Sequence, residues 1–521
     1  YLKTKNMVAT NKPADRRERM QALKDNDQEK FIGAYVKEPI VGKYDWIYDL
    51  DLTSLYPSII MTLNISPETK VGKISNWDAE QYIKGEEITY KLKGKDGDEY
   101  EYNRQELADV IKDSQLGVAA NGVLYMQDKP GLIADILNTW FNKRVEYRKL
   151  EKKYGEEKNT ELYEFYGKRQ HVQKILLNSM YGVLGLPAFR FYDVDNAEAV
   201  TLTGQVVIKK TAEMANRKYW KELETTDDYN VYIDTDSIYM MAEPLVKHRY
   251  PEYKTFDEKR MAVEVDNIAT ETQTFLNSFY DLLAERFFFI PKDKHRFEIK
   301  KEYISKAGFW VAKKRYAQWM ILKNGIPCDK LDVKGLDVVR SSFPKAFQKF
   351  MSTMLKDILM GKDHEYIDDT LLTFKKSLPT LPVNTIAKGG ALKELSKYDN
   401  GSWKTGDAVA NFEKGTPAHV KAGITYNRLL KFFNCPYKHE PIRDGDKVKW
   451  VYLKDNPLGL ETVAFKDYND PKEIMDFVET YVDRNKIFEA ELENKLDDFY
   501  NALKWDKVTA DTKTAKKFFA F

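Results

Sequence analysis

Tyr232-Ile233-Asp234-Thr235-Asp236-Ser237-Ile238-Tyr239 is the stretch on which the fold turns. It sets carboxylates inside the alternating apolar run from Asn230 to Met241, the pattern of a pair of strands. A second run of the same character, Asp45-Trp46-Ile47-Tyr48-Asp49-Leu50-Asp51-Leu52, breaks at Pro57 and reads as a strand that ends in a turn. Residues two apart on a strand share a face, so Asp49 and Asp51 are expected to point together, and Asp234 and Asp236 likewise. Two such strands side by side gather carboxylates around one point. Like charges repel strongly in a partly dry site, and divalent cations remove that repulsion. Hard oxygen ligands with almost no histidine nearby favour magnesium or manganese over zinc. A single Asp near a turn is usually only solvated, but Asp51 and Asp236 each sit in a largely apolar run, where exposure is not the default.

Working outward, Leu132 to Leu150 and Leu162 to Val183 carry helical periodicity, with a polar connector at 153–159 that predicts two antiparallel helices. Arg144 and Arg148, four apart, share a face of the first helix; Lys174, Asn178 and Tyr181 share one of the second. Such cations suit phosphates, and a metal pair about 3.5–4 Å apart suits in-line phosphoryl transfer. A solvated basic face is the plainer reading of the arginines taken alone. Tyr181-Gly182 is more telling, because a flat ring beside a glycine permits close approach of a base pair. Residues 88–103 read as a hairpin around Gly94, Asp96 and Gly97.

At 521 residues and 43% hydrophobic content, several lobes with their own cores are expected. The 83 basic and 81 acidic residues nearly cancel, so partners must be read from local patches. Cys328 and Cys435 form no CxxC or Cys/His cluster, which speaks against a disulfide scaffold or structural zinc and fits a reducing cytosol. The most apolar stretch, Phe275 to Ile290, is interrupted by Asn277, Asp281, Glu285 and Arg286; it reads as a buried helix, so no membrane partner is expected. Residues 12–30 read as a charged surface lead-in, and the part from about 338 as charged helix with aromatic insertions and a strand at Val448 to Leu453. The opening Tyr1 suggests a trimmed or processed product.

Four motifs, in order, resemble those of family B DNA polymerases. Asp51-Leu52-Thr53-Ser54-Leu55-Tyr56-Pro57-Ser58-Ile59-Ile60 is similar to the first, Lys174 to Gly182 to the second, and Tyr232 to Ser237 to the third. Lys313-Lys314-Arg315-Tyr316-Ala317 looks like the basic motif that holds primer-template DNA. Within the family, Asn64-Ile65-Ser66-Pro67-Glu68-Thr69, Gly423-Ile424-Thr425-Tyr426-Asn427 and Asn456-Pro457 resemble the replicative polymerases of T-even-type phages.

The resemblance implies an α+β right hand: a lead-in at 1–44, an antiparallel-sheet palm at 45–130 and 187–337, helical fingers at 131–186 and a mostly helical thumb at 338–521. It implies a DNA-directed DNA polymerase acting on primer-template DNA and deoxynucleoside triphosphates. Asp51 and Asp236 would ligate two magnesium ions with the Leu52 carbonyl, Asp234 supporting them. Ser54 and Leu55 would offer amides to the triphosphate, and Tyr56 would exclude a ribose 2′-OH. Arg144, Arg148 and Lys174 would clamp the phosphates, Asn178 and Tyr181 would line the base-pair pocket, and Lys313, Lys314, Arg315 and Tyr316 would grip DNA. The tail Lys517, Phe518, Phe519 and Phe521 would dock on a sliding clamp; a helix end folded on the thumb is the plainer reading.

Relatives carry an N-terminal and a 3′–5′ exonuclease domain before the first motif. With that motif at residue 51, proofreading is not assigned to this chain, which is expected to be a fragment or half of a split polymerase whose partner is a separate N-terminal chain. Asp49 is not expected to be a ligand. Competing readings are a polymerase of RNA, against which Tyr56 and the Asp-Thr-Asp spacing speak, and a catalytically silent DNA-binding scaffold, against which the intact carboxylates speak.

Overall fold

The computed structural model describes residues 32–95, 97–187, 189–399, 412–435 and 439–506. The charged lead-in at 12–30 and the tail at 516–521 therefore lie outside the described residues. The chain divides into two units: 32–38 with Trp46–Ile304 and Leu322–Pro327 in one, and Pro39–Asp45 with Ser305–Ile321 and the residues from Cys328 on in the other. Helices and antiparallel sheets occur in both, an α+β fold.

The first unit opens with β1 (Gly42–Leu52, from Trp46 on) and α1 (Leu55–Leu63). β2 (Lys70–Ile74), β3 (Tyr90–Gly94), β4 (Glu99–Tyr102), β5 (Leu116–Val118) and β6 (Val123–Met126) follow. These last five form a sheet ordered β4-β3-β2-β6-β5 over a core that includes Ile74, Tyr90, Leu107 and Val118. The hairpin read at 88–103 is β3 and β4, with Tyr90 opposite Tyr102.

Two long helices come next, α2 (Leu132–Glu156) and α3 (Thr160–Leu184). Their connector is shorter than the polar composition of 153–159 predicts. Helix α2 continues through Glu156 because Tyr154 stacks on Tyr166 of α3 at 5.5 Å, and Gly155 leaves room for the Tyr163 ring. Both helices start on side-chain caps: Asn159 accepts from the Leu162 N–H, whereas α2 is capped from a distant loop. There Asn64 accepts from Gly131 N–H, Glu68 from Leu132 and Ser66 from Ile133, satisfying amides that a helix start leaves without partners.

Helix α4 (Val194–Leu223), β7 (Asn230–Asp234), β8 (Ser237–Met241) and α5 (Glu258–Phe288) complete the unit. The apolar run from Phe275 lies mostly in α5, which is two-faced and not wholly buried: Leu276, Tyr280, Leu283 and Phe288 are inside while Phe275 and Leu282 are exposed. Strands run β7-β8-β1 and on to the start of β9 (Ile299–Ala312). Asp49 stands opposite Tyr239 and Asp51 opposite Ser237. Ile47, Tyr48 and Leu50 of β1 are fully buried, so the acidic end of the strand is fixed by an apolar stem.

The second unit takes β9 from Ser305, β10 (Arg315–Lys323, to Ile321) and β11 (Ile326–Lys334, from Cys328), in the order β9-β10-β11. Helices α6 (Lys345–Leu359), α7 (His364–Ser377) and α8 (Ala418–Phe432) join β12 (Lys388–Ala391), β13 (Lys447–Tyr452) and β14 (Thr462–Phe465) around one core. The strand read near Val448 is β13, the middle of that three-stranded sheet. Phe347, Met351, Met354 and Ile358 recur every three or four residues and turn one face of α6 inward, and Phe350 stacks on Phe374 at 4.3 Å.

Candidate active site

The two acidic runs meet where β1 and β8 pair. Ser237 Oγ donates to Asp51 Oδ2 at 2.8 Å, and Leu52 N–H donates to the Asp236 carbonyl at 2.8 Å. Asp234 and Asp236 do not share a strand face, as alternation suggested. Asp234 ends β7 and pairs with Ser237, so Thr235 and Asp236 form a two-residue turn. Thr235 takes a left-handed φ of 64° and the Asp236 N–H donates to the Asp234 carbonyl at 2.7 Å. The turn breaks the alternation and re-aims Asp236.

Burial and neighbouring charge raise the carboxyls of Asp51, Asp236 and Asp49. Asp51 is pushed up to about 7, first by burial and next by Asp236. Asp236 is pushed up to about 6, first by burial, with Asp234 and Glu302 adding to it and Lys174 opposing. Asp49 is raised well above the carboxylate range by burial, then by Glu302. Only 2% exposed, it accepts the Tyr303 N–H and is bound into the sheet.

A cavity of about 820 Å³ opens above this edge. The β1–α1 junction lines it with Asp51, Ser54, Leu55 and Tyr56, the hairpin turn adds Asp236, and the long helices add Arg144, Arg148, Lys174, Asn178 and Tyr181. Every residue expected to touch nucleotide is thus on one wall or another. Of the expected metal set, Asp51 and Asp236 line the cavity; Asp234 and Leu52 are not on its wall. Among the described residues no group of three or more His, Cys, Asp or Glu is arranged to hold a metal ion.

Ser54 sits in left-handed conformation (φ 49°) just before α1, whose first amides have no partner within the helix. Arg144 Nη1 donates to Ser54 Oγ at 3.3 Å, while its Nε is buried without a hydrogen-bond partner. Burial, then Arg148, lowers the Arg144 pKa. The rings of Tyr56 and Tyr181 lie 4.5 Å apart, and a side chain at Gly204 of α4 would come within 3.2 Å of the Tyr56 ring.

The basic motif belongs to the second unit, mostly at the turn between β9 and β10. Lys314 has a φ of 59°, Arg315 Nη1 pairs with Asp498 at 2.7 Å, and Tyr316 is buried with its ring stacked on Trp310 at 5.9 Å. That ring is a core element beneath the basic turn. Lys517, Phe518, Phe519 and Phe521 lie outside the described residues.

Sequence reasoning missed Gln170, His171, Lys300, Lys301, Glu302 and Lys323, which also line the cavity. Helical spacing from Lys174 could have found His171. No local signal marks Glu302, which enters because β9 lies beside β1. Gly204 was missed for a similar reason, since its effect depends on a ring far away in sequence.

The sequence pattern of the family described as DNA polymerase family B matches residues 1–249, a span that includes both acidic runs and both long helices. That match, 249 of the 521 residues, is a likeness to family B over just under half of the chain. Polymerases similar to it align with most of this chain. The DNA-directed DNA polymerase of Enterobacteria phage T4 is 27% identical across 89% of it and 54% of the relative. That of Escherichia phage RB69 is 26% identical across 91% and 55%, and DNA polymerase 1 of Pyrococcus abyssi (strain GE5 / Orsay) 26% identical across 93% and 49%. The chain spans about half the length of these curated relatives. Among the described residues no helix is long and apolar enough to cross a membrane.

Proposed function

We propose that this chain is a family B DNA polymerase that adds deoxynucleotides to a primer 3′-OH under the direction of a DNA template, in phage genome replication. The observation that carries the reading is the single cavity in which two raised carboxylates face Arg144, Arg148 and Lys174. One end suits cations and the other phosphates, the two needs of phosphoryl transfer.

The residues fit a pair of magnesium ions. Asp51 and Asp236 hold their negative charge at a cost that a nearby divalent cation would remove, and as hard-oxygen donors they would hold it, the Leu52 carbonyl being the proposed further ligand from off the cavity wall. When bound, magnesium supplies the charge neutralisation that in-line displacement requires. The chain's own groups do the rest. Ser54 and Leu55 present amides to the triphosphate, Arg144, Arg148 and Lys174 fix its oxygens, and Tyr56 fills the space beside the sugar 2′ carbon. Asn178 and Tyr181 bound the base pair. Asp234 supports the turn that aims Asp236.

In this reading 45–130 and 187–337 form the palm, 131–186 the fingers and 338–521 the thumb of a right hand. Lys313, Lys314 and Arg315 contact DNA phosphates without regard to sequence, Tyr316 bracing them from below, and the tail from Lys517 engages a sliding clamp.

Primer extension on a primed template with magnesium tests the function. Wild-type chain is expected to extend with deoxynucleotides and not ribonucleotides, and Asp236→Ala to lose extension while still binding DNA. Equal extension by Asp236→Ala would overturn the assignment; DNA binding without extension by the wild type would favour a silent scaffold.

A further inference from the structure

Helix α3 turns Gln170, His171, Lys174, Asn178 and Tyr181 toward the cavity, at spacings of three and four that put them on one face. The proposed polymerase reaction uses the last three. His171 stands one turn before Lys174, on the side away from Tyr181 and therefore away from the base. We infer that His171 is a further phosphate contact: a ring N–H donates to the terminal phosphate of the incoming nucleotide and to the pyrophosphate that leaves. The inference rests on the polymerase reading of this cavity and adds to it a contact whose charge depends on pH.

Two observations support an anion at this wall. Arg144 Nε, an N–H donor, is buried with no hydrogen-bond partner, a deficit that a phosphate oxygen removes. The cavity is also cationic. Arg144 and Arg148 reach it from α2 and Lys174 from α3, while Lys300, Lys301 and Lys323 stand on the strand side. Asp51, Asp236 and Glu302 oppose those six cations among the lining residues, and two of the six are already paired, Lys300 with Glu298 and Lys301 with Asp266. Imidazole is the side chain that ordinarily changes charge between pH 5 and 8. A phosphate beside it favours the protonated form, so binding takes up a proton and tightens as pH falls. Asp51 and Asp236 lose charge in the same direction, which makes a variant that keeps both the necessary control.

Calorimetric titration of inorganic tripolyphosphate into the metal-free chain, at pH 6 and pH 8, tests the contact. His171→Gln is expected to match wild type within about two-fold at pH 8 and to bind at least five-fold more weakly at pH 6. His171→Lys, with a fixed charge, is expected to bind at least five-fold more tightly than wild type at pH 8. Lys174→Ala is expected to weaken binding at both values. If Lys174→Ala weakens binding but His171→Gln follows wild type at both pH values, the histidine contact is wrong and the triphosphate site stands. If Lys174→Ala changes nothing, the triphosphate reading of the cavity falls, and this inference with it.

Discussion

The Tyr56 ring meets that of Tyr181 at a centroid distance of 4.5 Å, tilted by 46°, and a side chain at Gly204 would come within 3.2 Å of it. Packed close to both, Tyr56 is held at the cavity wall. Tyr56→Ala should raise the ribonucleotide-to-deoxynucleotide ratio of kcat/KM at least ten-fold, about 1.4 kcal/mol of discrimination, while Tyr56→Phe leaves it unchanged. Gly204→Ala should push the ring toward the nucleotide and raise KM for deoxynucleotides. Competition assays between the two nucleotide types read all three variants.

The raised carboxyls make stability without divalent ions depend on pH. Asp51 and Asp236 bind protons more tightly folded than unfolded, at about 7 and about 6 against an ordinary 3.8. Their contribution is therefore complete below pH 4 and is lost as pH rises through 6 to 7. Asp51→Asn keeps an acceptor for Ser237 and removes the charge. At pH 8 in chelator it should be more stable than wild type by about 1–3 kcal/mol, with a shallower loss between pH 5 and 8. Magnesium should raise the wild-type melting temperature more than that of the variant. Thermal denaturation across pH, with and without magnesium, decides it; a wild type as stable as Asp51→Asn at pH 8 would contradict the repulsion.

The start of α2 depends on Asn64 and Glu68. Asn64 accepts from Gly131 N–H at 2.7 Å and donates to the Met126 and Lys129 carbonyls. Asn64→Ala strands several buried groups and should cost about 2–3 kcal/mol. Glu68→Ala, which removes one exposed cap, should cost about 1 kcal/mol. Denaturant unfolding should reproduce that order.

For the basic turn, Lys313→Ala and Lys314→Ala should each weaken DNA binding equally on any sequence and reduce the slope of log affinity against log salt by about one. Tyr316→Phe should leave that slope alone, because its buried ring stacks on Trp310 and not on DNA. Filter binding across a salt series measures both.

Periodicity determined the long helices and the strands that carry Asp51 and Asp234, and turn residues the β3–β4 hairpin, because alternation, helical spacing and turn chemistry are properties of neighbouring residues. The same local rule misplaced Asp236, since alternation assumes an unbroken strand and a left-handed Thr235 ends one. It also misjudged α2, whose last turn is held by Tyr166 of the facing helix. The motifs named Asp51, Tyr56 and Lys174 in advance, helical spacing singled out Arg144, and tertiary structure brought them to one cavity. Glu302 and Gly204 were not legible, nor was the cap that residues 64–68 place on a helix far along the chain. Their roles arise from contacts between segments distant in sequence, and only close packing of the folded chain fixes which of those contacts form.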